Sequence, residues 1–284
     1  MLGKGLSLVG FMDQKQAIDY LAKRCQVTGK TSRDLNEHWK KAKAQLGPRV
    51  EDAGKPEILD IPPEHKSYLD AIEKHPRFHE VLNDVRAWSF RLVKIEPLLA
   101  FQFDISIEQA IAAAVCPSGP DLHYSLKECL PQVIPDIVSR LEDIPNGFRI
   151  ISPETNLRTV GKEEAFNQAI GLKLAGVRFG RGIPWMQVTR HNSKCYLYNG
   201  YHRAYRLRKM GATHVPCILL EVDRFSRAIA GPAGFFGSDV MRDKDPPTCA
   251  HFAQGRAYPV NLRLVEKIIE VTWREGFRPL TAWT

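Results

Sequence analysis

Tyr196-Leu197-Tyr198-Asn199-Gly200-Tyr201-His202-Arg203-Ala204-Tyr205-Arg206, with Gly211 and Val215-Pro216-Cys217-Ile218-Leu219-Leu220 after it, is the stretch on which the fold turns. Met186 to Val188 and Cys195 to Tyr198 are strand-like runs, and Asn199-Gly200 is a turn dipeptide. Tyr201 to Met210 reads as a helix stopped by Gly211, and Val215 to Val222 returns as a strand of branched and long apolar side chains. Strand, tight turn, helix and strand predict an α/β fold with a small mixed sheet.

The same stretch suggests chemistry. Glycine at 200 lets the chain turn without a side chain in the way, and the helix that follows offers its first amide hydrogens beside the turn. Such a corner attracts phosphate through unpaired donors and the helix dipole. Arg206 is i+3 from Arg203 and i+4 from His202, so three side chains can converge on one anion. Asn199, Gly200, Tyr201, His202, Arg203 and Arg206 are therefore the candidate phosphate- or nucleotide-binding residues. The reading requires His202 and Arg203 to open toward one solvent-accessible hollow. The plain alternative is a solvated basic helix with a structural histidine.

Outward toward the N-terminus, Ser89 to Ile95 alternates and ends against Pro97 as a strand does, with Phe90, Leu92 and Lys94 opposite Arg91, Val93 and Ile95. Helices are expected over Gln14 to Arg24, Ser32 to Leu46 and Pro63 to Val85, the last broken at Pro76. Helical patterns also cover residues 104–118, Leu130 to Leu141 and Lys162 to Ala175, and Leu262 to Arg274 reads as a closing helix. Phe148 to Ile151 is a short strand. Gly47 to Pro63, with four prolines and two glycines, reads as a linker. The expected organisation is a helical arm and linker over 1–60, a core domain with a helical insertion over 61–225, and a Gly/Pro-rich excursion with a C-terminal helix over 226–284.

The chain has 284 residues, 44% hydrophobic and 25% charged, which excludes wholesale disorder. No run approaches the roughly 18 apolar residues of a membrane span, and the N-terminus lacks the order of a signal peptide, so a cytoplasmic protein without a membrane partner is expected. Six cysteines at 25, 116, 129, 195, 217 and 249 form no CxxC and read as reduced thiols. The net charge is +8, and residues 181–224 hold eight Lys or Arg against Glu221 and Asp223, a net of +6. That local surplus favours an anionic partner.

Tyr196 to Val222, with its Asn199-Gly200-Tyr201-His202-Arg203 turn, following helix and Val215-Pro216 strand, resembles the signature of the ParB/sulfiredoxin-like superfamily. Leu92-Val93-Lys94-Ile95-Glu96-Pro97 looks like the strand that opens that domain, and the resemblance spans roughly residues 88 to 225. It implies a corner that holds nucleotide phosphates, with a ribonucleoside triphosphate and Mg2+ as cofactors. It also implies candidate catalytic roles for His202, orienting phosphate, and Glu96, as base or magnesium ligand. The superfamily includes partition proteins that bind and hydrolyse CTP, ATP-dependent sulfiredoxins and a free-serine kinase, so fold alone does not choose the activity.

Departures narrow the choice. Tyr201 stands where sulfiredoxins carry their reactive cysteine, and Cys195 and Cys217 read as core residues. No helix-turn-helix pattern follows the signature, as a partition protein would require. Glu221 is a second carboxylate candidate, and His75 and His79 have i,i+4 spacing interrupted by Pro76, so no metal site is assigned. Trp185, Tyr196, Tyr198, Tyr201 and Tyr205 offer stacking surfaces beside the positive charge, as DNA or RNA binding needs. Three readings therefore stand: phosphate or nucleotide binding, with or without phosphotransfer; a DNA- or RNA-binding or nuclease-like module; and a non-catalytic interaction module of a larger protein assembly.

Overall fold

The computed structural model describes residues 2–29, 31–82, 87–107, 120–134, 136–154, 157–167, 172–182, 184–225 and 235–275. They form a mixed α/β protein. Its strands in chain order are β1 (Leu2–Ser7), β2 (Cys25–Gln26), β3 (Ile58–Leu59), β4 (Ala87–Lys94), β5 (Asp104–Ser106), β6 (Arg140–Ile144) and β7 (Gly147–Ser152). They continue as β8 (Leu157–Asn167), β9 (Leu172–Arg181), β10 (Gln187–His191), β11 (Lys194–Asn199), β12 (His214–Glu221), β13 (Tyr258–Arg263) and β14 (Lys267–Thr272). The chain divides into two compact units, Met1–Val133 with Ile183–Leu264, and Ile134–Gly182 with Val265–Thr284.

The first unit carries a five-stranded sheet in the order β11-β10-β12-β4-β3. β12 lies parallel to β10 and antiparallel to β4, so the Tyr201–Lys209 helix is the crossover between β11 and β12. Val215 to Leu220 are buried throughout, as a central strand requires. Phe78, from the Pro76–Leu82 helix, packs edge-on against Trp88 at 4.8 Å and Trp185 at 5.4 Å. Leu98 to Phe101 run fully buried beside β11, where the Leu99 amide donates to the Cys195 carbonyl at 3.0 Å and its carbonyl accepts from the Leu197 amide at 2.9 Å.

The second sheet of this unit has the order β2-β13-β1-β5. Its central β1 can lie close to its neighbours because Gly5 has no side chain; a Cβ there would stand 2.4 Å from the Leu262 side chain. The Gln14–Arg24 and Ser32–Gln45 helices form as expected. Asp13 caps the first through the Gln16 amide, and Thr31 with Asp34 makes a capping box for the second. Among the described residues no helix is long and apolar enough to cross a membrane.

Several segments differ from the sequence expectation. Gly47 to Pro63 is no separating linker: Gly54 bonds to Pro97 and Cys195, and Ile58–Leu59 forms the edge strand β3 on β4. The division between units accordingly falls after residue 133 and not at 60. Of residues 104–118, Asp104–Ser106 is strand β5, and 108–119 lie outside the described residues. Among the described residues of Leu130 to Leu141 no helix forms; Pro131 lacks an amide donor, and β6 begins at Arg140. Of residues 162–175, 162–167 and 172–175 belong to the antiparallel pair β8–β9, whose cross-strand pairing overrides the helix preference of its Glu, Lys and Ala residues, and 168–171 lie outside the described residues. Leu262 to Arg274 is no helix either. Its start completes β13, and the β-branched run Ile268-Ile269-Glu270-Val271-Thr272 forms β14 on β7.

Candidate functional site

The corner at Gly200 forms as a strand-to-helix turn. Gly200 adopts φ 111° and ψ 22°, and on its open side a Cβ would meet the Met186 side chain at 2.7 Å, so glycine is needed for both conformation and space. The first helical bond runs from the Ala204 amide to the Gly200 carbonyl at 2.9 Å. Asn199 ties the turn to the entry of β10 by donating its Nδ2 to the Trp185 carbonyl at 2.9 Å. Tyr201 turns inward: its hydroxyl donates to the Leu197 carbonyl and accepts from the Phe101 amide at 3.1 Å. Its ring packs edge-on against Phe101 at 6.0 Å.

Two arginines of the corner, Arg203 and Arg206, turn to the same residue, Glu128, and Arg208 turns to Glu96. Arg203 Nη1 donates to the carbonyls of Pro184 at 2.7 Å, Cys129 at 3.2 Å and Glu128 at 3.3 Å. Two of these are the last carbonyls of the Leu122–Cys129 helix, the groups a helix leaves without internal partners. Arg206 pairs through Nη2 with the Glu128 carboxylate, and its Nε is buried without a partner among the described residues. Arg208 donates Nη2 at 2.7 Å and Nε at 2.9 Å to Oε1 of Glu96.

His202 points elsewhere. Its Nε2 accepts from the Ser106 amide of β5 at 3.1 Å, which places the ring proton on Nδ1. Burial, and secondarily the Arg203 charge, pull its pKa down to about 4, so the ring is neutral near pH 7. The convergent cradle of His202, Arg203 and Arg206 is thus not what the chain builds: Arg203 braces a helix end, Arg206 joins Glu128 and His202 braces β5. Glu96 is held by Arg208, and Glu221 by Arg190 at 2.6 Å. Ser106, which the sequence places within a helical pattern, is the partner that fixes the histidine, and only the packing of β5 beside the corner reveals that.

A magnesium–nucleotide does not fit this arrangement. The cations that would face phosphate and the carboxylate that would serve as base or metal ligand are already bonded to protein groups. Among the described residues no group of three or more His, Cys, Asp or Glu is placed to hold a metal ion. His75 instead accepts the Arg77 amide at 3.2 Å through Nδ1. Cys25, Cys129, Cys195, Cys217 and Cys249 are free and buried, and burial lifts the Cys195 thiol to about 12, so it is no nucleophile at neutral pH. Of the aromatic residues offered for stacking, Trp185, Tyr196 and Tyr201 are buried, and Tyr198 and Tyr205 are half-buried. Comparison with family models, with curated proteins and with solved structures finds no match.

Proposed function

We propose that this chain is a ParB/sulfiredoxin-like protein that works as a non-catalytic interaction module, with its partner surface in the second unit. The family reading is supported by the order of motifs and strands: an opening strand β4 antiparallel to β12, the β10–β11 hairpin, the glycine corner, the crossover helix and the Val215-Pro216 strand. The corner then serves as a structural joint.

The observation that carries the interaction reading is the exposed apolar surface of the second unit. Of its described apolar side chains only Ile151 and Leu157 are buried, whereas Leu141 is 65% and Trp273 57% exposed, with Val138, Val265 and Ile268 exposed as well. In the sheet β14-β7-β6, Leu141, Ile150 and Ile269 stand opposite one another on one face, while Ile268, Ile151 and Arg140 share the other. The unit holds ten Lys or Arg against nine Asp or Glu, which suits a protein partner better than a polyanion. Exposed apolar side chains at this density mark contact surfaces.

The test is co-purification of the full chain with its partner from the native host. Leu141→Asp with Ile268→Asp abolishes co-elution and leaves far-UV circular dichroism and the thermal midpoint unchanged. Loss of the fold in that variant, or turnover of any ribonucleotide by the wild-type chain, overturns the reading. A second reading, phosphate bound at the first turn of the Tyr201–Lys209 helix, is favoured by one observation: the Nδ1–H of His202 has no acceptor among the described residues and stands beside that turn. Stabilisation by inorganic phosphate that disappears in His202→Ala selects it.

A further inference from the structure

Away from the Gly200 corner, the five-stranded sheet carries a cavity of about 400 Å³ between β3, β4, β12 and β10, a size suited to a small ligand. Strand alternation builds it. Ser89 and Arg91 project from one face of β4, Ser89 lies opposite Leu219, and Glu221 lies opposite Arg190. Its lining is mostly polar, and Ile58, Leu59 and Leu219 expose little apolar surface to it.

The polar groups leave a surplus of donors. Arg190 grips Glu221 through Nε at 2.9 Å and Nη2 at 2.6 Å, which leaves its Nη1 without a partner among the described residues. Arg91 contacts Asp60 through Nη1 alone, and neither its Nε and Nη2 nor the Ser89 hydroxyl has a partner among the described residues. Asp60 follows the two-residue edge strand β3, and its side chain is 85% exposed, so its pairing with Arg91 is a weak surface contact that another anion can replace. A guanidinium edge with a hydroxyl beside it matches a carboxylate or phosphate bidentately.

We propose that this cavity binds a small polar molecule bearing a carboxylate or phosphate, its oxyanion held by Arg91 and Ser89, with Asp60 displaced on binding. The assignment is independent of the Gly200 corner and of the second unit. Isothermal titration of the full chain with glycerol phosphate and with glycolate tests it. Glycerol phosphate or glycolate binds, the stronger of the two identifying the head group. Arg91→Ala weakens binding about tenfold, the worth of one charge-assisted hydrogen bond. Asp60→Ala tightens it by removing the competing carboxylate, a change of opposite sign that misfolding cannot imitate. Absence of binding by both organic probes, binding indifferent to Arg91→Ala in a folded variant, or weakening in Asp60→Ala overturns the proposal.

Discussion

Replacing Arg203 by alanine separates a structural arginine from one kept for a ligand. Arg203 Nη1 reaches three carbonyls, at 2.7, 3.2 and 3.3 Å, but carries only two hydrogens, so it supplies two effective charge-assisted bonds. At about 1.5–3 kcal/mol each, their loss costs roughly 3–6 kcal/mol. Removing a buried charge returns part of this, because burial already lowers the Arg203 pKa, and a net loss of about 3 kcal/mol is expected. For a unit of this size that corresponds to a fall in Tm of roughly 6–12 °C. Urea unfolding followed by tryptophan fluorescence reads it well, because Trp185 is buried and adjoins the Pro184 carbonyl that Arg203 holds. Arg203→Lys, which keeps the charge without the planar head, falls between wild type and alanine. An unchanged or increased stability in Arg203→Ala would show that the residue is held in strain for a ligand, and the structural-joint argument would be refuted.

Other perturbations test neighbouring steps. Gly200→Ala combines a left-handed backbone with the Met186 contact at 2.7 Å and is expected to cost about 2 kcal/mol in denaturant titration. Glu96→Gln removes a partly exposed ion pair with Arg208 and should cost less than about 1 kcal/mol while changing no nucleotide-dependent signal; a large functional loss would restore a catalytic role. Burial, chiefly, lowers both His202 and His251 from 6.5 to about 4. Below pH 6.5 the unfolded chain therefore takes up protons that the folded chain refuses until about pH 4, so stability falls progressively across that window. Urea midpoints at pH 7, 6 and 5 should show the fall, and His202→Asn with His251→Asn should flatten it.

How much of this was legible in the sequence depended on whether local preference and tertiary pairing agreed. Around Gly200 they do: alternation, turn dipeptide, helix and β-branched strand all point one way, and β10, β11, the Tyr201–Lys209 helix and β12 appear where expected. In β8 and β9 they conflict, because Glu163, Ala165 and Leu174 favour a helix while the strand partner lies farther along the chain. β13 was readable by period two, since Val260 and Leu262 are buried and Pro259, Asn261 and Arg263 exposed; the helical spacing from Leu264 onward concealed it. Where apolar residues satisfy two periods, contacts distant in sequence decide.

The chemistry at the corner failed to be legible for a different reason. Spacing along a helix fixes which side chains share a face, but not what faces them. Positions 202 and 206 do stack at i and i+4, yet the partners across from them, Ser106 on β5 and Glu128 on the Leu122–Cys129 helix, come from segments about 75 to 95 residues away in the chain. Charge counts mislead in the same way. The surplus over residues 181–224 looks like an anion footprint, but Arg190, Arg203, Arg206 and Arg208 all bond to acidic groups or carbonyls of this same chain. Among the described residues, donors without partners also occur outside that stretch, at Arg91 and Ser89, one strand from the edge, where the sequence shows only ordinary alternation. A donor's usefulness to a ligand is set by whether the fold has already supplied its acceptor, and that depends on tertiary pairing.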